Sequence, residues 1–354
     1  MTDPVRPPEI AEALGRRVMG QPEAVKELSI ALAKKLQGLS AGNVLMVGSS
    51  GTGKTTLMRA IEVWLAARED PRQDWPLIRV HANVLAEESS RDRPGESILL
   101  RLLERTRERY DELPTPQLLE RAANGLVFVD EVDKIRSHVG GEPNTRGIRA
   151  QEALLTLIEN EAVPVRLPDW AGGEAVTVDA SRLLFVAAGA FEGLYEAVYD
   201  RVTIGADRGS LRAMSVFENA GTVRQELQFS LRDWLRYEDL FDYGLTPQFL
   251  ARFDSLVLLD DLSEDVLVEI FLDDPESGLQ QAREYFSSLG VEIAISPAAV
   301  RRIAQEAVRQ PRLGARALKE VFRRVMREVE FDPKANVGSV LMVDLPEVEE
   351  ALKR

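Results

Sequence analysis

Cysteine is absent from all 354 residues. That excludes a disulfide framework and any thiolate-held metal. Histidine occurs twice, at His81 and His138, too few for a histidine-ligated metal centre, and each reads as an ordinary surface or loop residue. No run approaches the ~18 consecutive apolar residues that a membrane-crossing helix needs. The opening decapeptide MTDPVRPPEI has no apolar signal core, so the expectation is a cytoplasmic protein without membrane contact. Basic residues are in deficit, with 44 Lys and Arg against 58 Asp and Glu, a formal charge of −14. Broad binding to a phosphate backbone demands a basic face, so nucleic acid is an unlikely partner class on charge alone. What is present is ordinary for a soluble globular chain: 45% apolar and 29% charged residues, at a length that accommodates two domains.

Short apolar runs read as buried strands: NVLMV (43–47), LIRV (77–80), GLVFVD (125–130) and RLLFVAA (182–188). Helical stretches such as TTLMRAIEVWLAA (55–67) and ESILLRLLERTRERYDEL (96–113) lie between them. Strands alternating with helices imply an α/β fold built on a parallel sheet with covered faces. Beyond about residue 258 the strand signal fades. There Leu318, Val321, Phe322, Val325, Met326 and Val329 recur along one face of a helix. The expected order is an N-terminal lead-in (1–16), a large α/β domain (17–257) and a small, mostly helical domain (258–354).

The strand 43–47 runs into Gly48-Ser-Ser-Gly51-Thr52-Gly53-Lys54-Thr55-Thr56, which opens a helix. This is the setting of a phosphate-binding loop. Its glycines let backbone N–H groups turn inward around phosphates, and the helix N-terminus adds positive potential. Lys54 is placed to reach the β- and γ-phosphates of ATP and Thr55 to ligate Mg²⁺. The run GLVFVDEVDK supplies the other half, delivering Asp130 to the Mg²⁺ shell and Glu131 to polarise the attacking water.

Several of these motifs, in this order, resemble the AAA+ ATPases and within them the ClpX/HslU unfoldase group. Val18-Met19-Gly20-Gln21 resembles the segment packed against adenine, DEVDKI the second acidic motif, and FVAAGAFEGL (185–194) the strand and turn after it. GLTPQFLARFD (244–254) is similar to the segment that ends in the arginine finger, which places that role on Arg252. RLGARALKEV (312–321) resembles the motif that brings a second arginine to the nucleotide, here Arg316. The resemblance runs from about residue 8 to 345. It implies a P-loop large domain with a helical lid, ATP hydrolysis with Mg²⁺, and a homo-oligomeric ring, in the family's manner a hexamer. Ala188 or Gly189 stands where many AAA+ proteins carry a polar sensor, so no residue is assigned to that role.

Three loops depart from the family. Without cysteines the chain also carries no zinc-binding domain of the ClpX kind. The aromatic pore-loop slot holds Ser89-Ser90-Arg91-Asp92, within EESSRDRP (87–94). An aromatic grips any polypeptide by apolar contact, whereas serine and charged groups prefer water. The stretch VRLPDWAGGEAVTV, with Arg166 and Trp170, lacks the family's basic cluster. The peptidase-docking tripeptide Ile-Gly-Phe is replaced by Ile204-Gly205-Ala206. The Phe-, Trp- and Tyr-rich insertion 212–244 reads either as a local core or as a partner-docking face. The leading expectation is an ATPase that remodels one dedicated protein partner, without a ClpP-type peptidase. The alternatives are a threading unfoldase whose grip lies in 136–150, a nucleic-acid remodeller using Arg136, Arg146 and Arg149, and an ATP-binding scaffold.

Overall fold

The computed structural model describes residues 5–68, 75–88, 95–159, 162–204, 212–218, 222–228, 231–310, 313–333 and 340–353. The pore-loop slot 89–92, Gly205-Ala206 and Arg312 lie outside them. In chain order the strands are β1 (Val44–Val47), β2 (Leu77–His81), β3 (Leu126–Asp130), β4 (His138–Val139), β5 (Glu142–Pro143), β6 (Ala162–Arg166), β7 (Ala175–Asp179) and β8 (Leu184–Gly189). They continue with β9 (Arg212–Glu218), β10 (Thr222–Gln228), β11 (Ser255–Leu258), β12 (Glu292–Ile295) and β13 (Val340–Val343). The four apolar runs read from the sequence form β1, β2, β3 and β8.

Two compact units emerge. One comprises Gly42–Leu45 and Trp75–Leu258. Its frame is a five-stranded sheet in the order β11-β1-β8-β3-β2, in which β2 and β3, and β3 and β8, pair in parallel. β1, β3 and β8 are buried along their whole length, as strands covered on both faces must be. β2, at the sheet's edge, alternates instead. Ile78 and Val80 point into the core while Arg79 and His81 share the other face. Antiparallel pairs β4–β5, β6–β7 and β9–β10 decorate this unit. The last spans much of the aromatic insertion, with Thr222 opposite Glu218 and Gln228 opposite Arg212.

The other unit comprises Met1–Ala41, Met46–Asp74 and Leu259–Arg354. Its N-terminal helices are Pro7–Gly15, Pro22–Leu36 and Lys54–Ala66. Its later part has a core of its own, centred on Leu267, Phe271, Phe286, Ile303, Val321 and Phe322. Phe271 meets Phe322 edge-on, with ring centroids 5.1 Å apart. The helices around that core start where serines allow. Ser263, Ser277 and Ser296 accept from the backbone N–H groups of Val266, Gln280 and Ala299, which satisfies donors that a helix N-terminus leaves orphaned. Several strands were not anticipated, among them β12 and β13, which form a parallel pair among these helices. Each is four residues long, too short for its alternation to stand out against flanking helical periodicity.

Candidate nucleotide-binding site

In the unit that carries the phosphate loop, backbone geometry explains the glycines. Gly51 and Gly53 take φ of +75° and +108°, a region costly for residues with a Cβ. Gly53 caps the helix Lys54–Ala66, so the loop runs directly into the helix's positive end. Lys54 folds back over the loop, donating from Nζ to the carbonyls of Gly48 and, at 2.7 Å, Ser49. Thr52 Oγ1 also donates to Ser49, at 2.9 Å. Thr55 is half-buried and Thr56 exposed on the helix's first turn.

Two distant segments meet this loop. Gln21 is buried. Its Nε2 donates to the carbonyls of Thr52 (3.0 Å) and Asp260 (2.8 Å), and its Oε1 accepts from Asp260 N–H (3.0 Å). It thereby ties the Val18-Met19 segment, with Val18 itself buried, to the loop. From the other direction comes the helix Ala315–Phe331. Ala315 N–H donates to the Gly51 carbonyl at 3.1 Å, and Arg316 Nη1 donates to Ser50 Oγ at 2.9 Å. A Cβ on Gly51 would lie 2.1 Å from the Leu313 carbonyl oxygen. Asp261 is held above the ordinary carboxylate pKa, chiefly by desolvation, with a hydrogen bond to Ser49 opposing the rise and Asp260 adding to it.

In the sheet unit, β3 ends on Asp130 and the chain turns sharply at Glu131, whose φ of 60° is left-handed. Non-glycine residues seldom adopt this geometry, and it concentrates at functional turns. Asp130 Oδ1 accepts from Glu131 N–H at 2.9 Å, and Oδ2 pairs with the Arg79 guanidinium. His81 Nδ1 lies 3.6 Å from Glu131 Oε2. The β8 partner of Asp130 is Ala188. A Cβ on the next residue, Gly189, would press to 2.7 Å from the buried Asp133 carboxylate, so neither position brings a polar side chain there. Asp133 Oδ1 accepts from Ala190 N–H at 3.1 Å.

Arg252 forms an ion pair with Glu159, at the end of the helix Thr145–Glu159. Its carbonyl accepts from Asn43 Nδ2 at 3.0 Å. Asn43 in turn donates its N–H to Asp254 (3.0 Å) and accepts Phe185 N–H on Oδ1 (3.0 Å). Arg136 stacks on the Tyr243 ring at 5.0 Å. The Tyr243 hydroxyl is pushed up to about 12, mostly by burial, with Asp133 adding to the rise, Arg136 opposing it and Glu192 adding to it. The sequence reading named neither Arg79 nor His81 as a site residue, nor Asn43. The signal for the first two was charge and histidine at alternate positions of the apolar run LIRVH.

Residues 39–256 match the family described as AAA domain (Cdc48 subfamily). The chain belongs to the AAA family of ATPases. A relative in Methylococcus capsulatus, "ATP-dependent Clp protease ATP-binding subunit ClpX 3", is 31% identical over 92% of this chain and 76% of its own length. "ATP-dependent Clp protease ATP-binding subunit ClpX" of Porphyromonas gingivalis is 29% identical over 96% and 80%, and its counterpart in Bacteroides fragilis 29% over 92% and 77%. Within the AAA family the chain is ClpX-like, and it is an ATP hydrolase.

As a AAA ATPase the chain has a donor set that fits nucleotide and Mg²⁺. The phosphate loop is a glycine cradle that a Cβ would fill. Thr55, in the unit of the phosphate loop, and Asp130, in the sheet unit, each carry an oxygen of the hard kind that Mg²⁺ takes. Among the described residues no cluster of three or more His, Cys, Asp or Glu could hold a metal alone. Mg²⁺ is ordinarily bound by one or two carboxylates together with substrate phosphates, so it needs no such cluster. Among the described residues no helix is long and apolar enough to cross a membrane.

The cradle generates a direct test. Gly51→Ala forces a side chain into left-handed backbone and against the Leu313 carbonyl. Nucleotide affinity should fall at least tenfold, read by equilibrium binding of a fluorescent ATP analogue, with a lower melting temperature. Parent-like affinity would show that the loop tolerates displacement from the helix Ala315–Phe331.

Proposed function

We propose that this ClpX-like AAA ATPase couples Mg²⁺-dependent ATP hydrolysis to remodelling of one dedicated protein partner, as a homo-oligomeric ring, in the family's manner a hexamer. The observation that carries the reading is the contact between Arg316 and Ser50 of the phosphate loop. It gives the later part of the chain a direct handle on the state of the nucleotide. A small domain over 258–354, following a large ATPase domain over 17–257 and a lead-in over 1–16, is supported by the apolar core that begins at Leu262.

In this reading Gly51, Thr52, Gly53 and Thr56 frame the phosphates, while Val18 and Met19 pack against adenine. Lys54 and Arg316 neutralise phosphate charge, and Thr55 and Asp130 hold Mg²⁺ and its water shell. Bound Mg²⁺ would supply charge neutralisation to the phosphates. Glu131 accepts a hydrogen bond from the attacking water and orients it. Arg252 exchanges Glu159 for a phosphate in the neighbouring subunit. The relatives are named as subunits of a Clp protease. Here Ala206, in place of a docking aromatic, supports a chain that works without a ClpP-type peptidase. Ser89–Asp92 in the pore-loop slot supports brief, partner-specific pulling over processive threading. The nucleic-acid reading is disfavoured by the net charge and by the engagement of Arg136 with Tyr243.

Three measurements test this reading. Lys54→Ala should abolish nucleotide binding, whereas Glu131→Gln should keep binding and lose turnover by about 10²-fold or more, because water activation alone is removed. Equal turnover in Glu131→Gln and the parent would sink the assignment. Arg252→Ala should cost about 10³–10⁵ in rate. Mixing it with Lys54→Ala subunits should restore part of the activity, since an intact loop then meets an intact finger. No recovery in verified mixtures would place Arg252 in its own subunit's chemistry or outside it. With ATP and a trap for unfolded product, a tagged fluorescent protein should keep its signal, and a ClpP-type peptidase should not co-migrate. Sustained fluorescence loss would favour a threading unfoldase.

A further inference from the structure

β2 brings a cation to the acid assigned to the metal. Strand alternation puts Arg79 on the same face as His81, and the register sets His81 opposite Asp130. From two residues back the Arg79 side chain reaches forward to Asp130 Oδ2. The other oxygen is already taken by Glu131 N–H, at 2.9 Å. Both carboxylate oxygens are therefore engaged by the chain itself. The pair is sheltered on the acid's side, the Asp130 side chain being 10% exposed and that of Arg79 33%. An Asp oxygen bridged to a guanidinium is a poorer acceptor for metal-bound water. A fixed positive charge beside it also repels a divalent cation.

We propose that Arg79 is a positioning residue that sets the metal demand of the site. It holds Asp130 oriented and charge-compensated before nucleotide arrives, and Mg²⁺ must compete with it for the same carboxylate. The inference rests on the reading that Asp130 serves the Mg²⁺–nucleotide complex. The ion pair thus keeps a buried acid from standing uncompensated, and in exchange raises the Mg²⁺ concentration at which nucleotide is bound productively.

The test is the Mg²⁺ midpoint for equilibrium binding of a fluorescent, non-hydrolysable ATP analogue to the full chain, with parent, Arg79→Lys, Arg79→Gln and Arg79→Met compared. Arg79→Gln and Arg79→Met should lower the midpoint roughly threefold to tenfold, the scale of one partly screened charge contact. Arg79→Lys, which keeps the charge, should stay near the parent. Mg²⁺ with nucleotide should raise the melting temperature of Arg79→Gln more than that of the parent, because the metal complex takes over the lost compensation. Should Arg79→Met fail to fold, the closer-shaped glutamine variant carries the measurement. An unchanged or raised midpoint in the glutamine variant overturns the proposal, and an equal loss of melting temperature with and without Mg²⁺ marks the pair as purely structural. A parent that binds the analogue without any Mg²⁺ dependence overturns both this proposal and the Mg²⁺–ATP reading. A Mg²⁺-dependent parent with unshifted variants removes this inference alone.

Discussion

A loop that wraps phosphate with backbone N–H groups must turn its chain through conformations that exclude side chains. Much of this molecule follows from that constraint. At Gly51 the absence of a Cβ serves two ends, permitting the positive φ and admitting the Leu313–Ala315 turn to van der Waals contact. The same peptide gives its carbonyl to Ala315 N–H. The loop is therefore held on one side by the start of a helix more than 260 residues later in the chain, and on another by the Gln21 carboxamide. The Gly48 and Ser49 carbonyls are served from within the loop by Lys54 and Thr52, and the outside donors Ala315 and Gln21 serve those of Gly51 and Thr52.

The acidic side of the chemistry obeys a different rule. Carboxylates at the end of a buried strand are costly unless compensated. Here the buried Asp130 has the Arg79 guanidinium from β2 beside it, and the half-exposed Glu131 has the His81 ring 3.6 Å away. At the left-handed turn the Glu131 N–H stays on Asp130 Oδ1. The arginine in the finger motif is likewise neutralised within its own chain, by Glu159. Its main chain is anchored through Asn43 to Phe185 at the start of β8.

How much of this was legible in the sequence varied with the range of the interaction. Four of the five strands of the sheet were, because a continuous run such as LVFVD satisfies burial by itself, whereas β11 was not read. The phosphate loop was, because its glycines and lysine are consecutive. β12 and β13 were not: each is a short segment whose partner lies far along the chain, and pairing of that kind leaves no local mark. Arg79 shows the limit most plainly. An arginine in an apolar strand signals an exposed edge face, but only the parallel register with β3 reveals which carboxylate it meets. Gln21 was read as part of a motif, yet its three hydrogen bonds to Thr52 and Asp260 depend on a fold that brings residues 21, 52 and 260 together.

The partition into units has a consequence for biosynthesis. The sheet unit draws nearly all its residues from one uninterrupted stretch, Trp75–Leu258, whereas the unit bearing the phosphate loop is assembled from residues on both sides of that stretch. Domains fold as units as the chain emerges from the ribosome, so the sheet can consolidate while the loop is still waiting for its partners. Gln21 finds Asp260, and Gly51 finds Ala315, only after the intervening sequence has been made. The small core closes later still, once Val348 has been added to it. The bracing of the phosphate cradle by Ala315 therefore waits on residues made well after the acids at the end of β3.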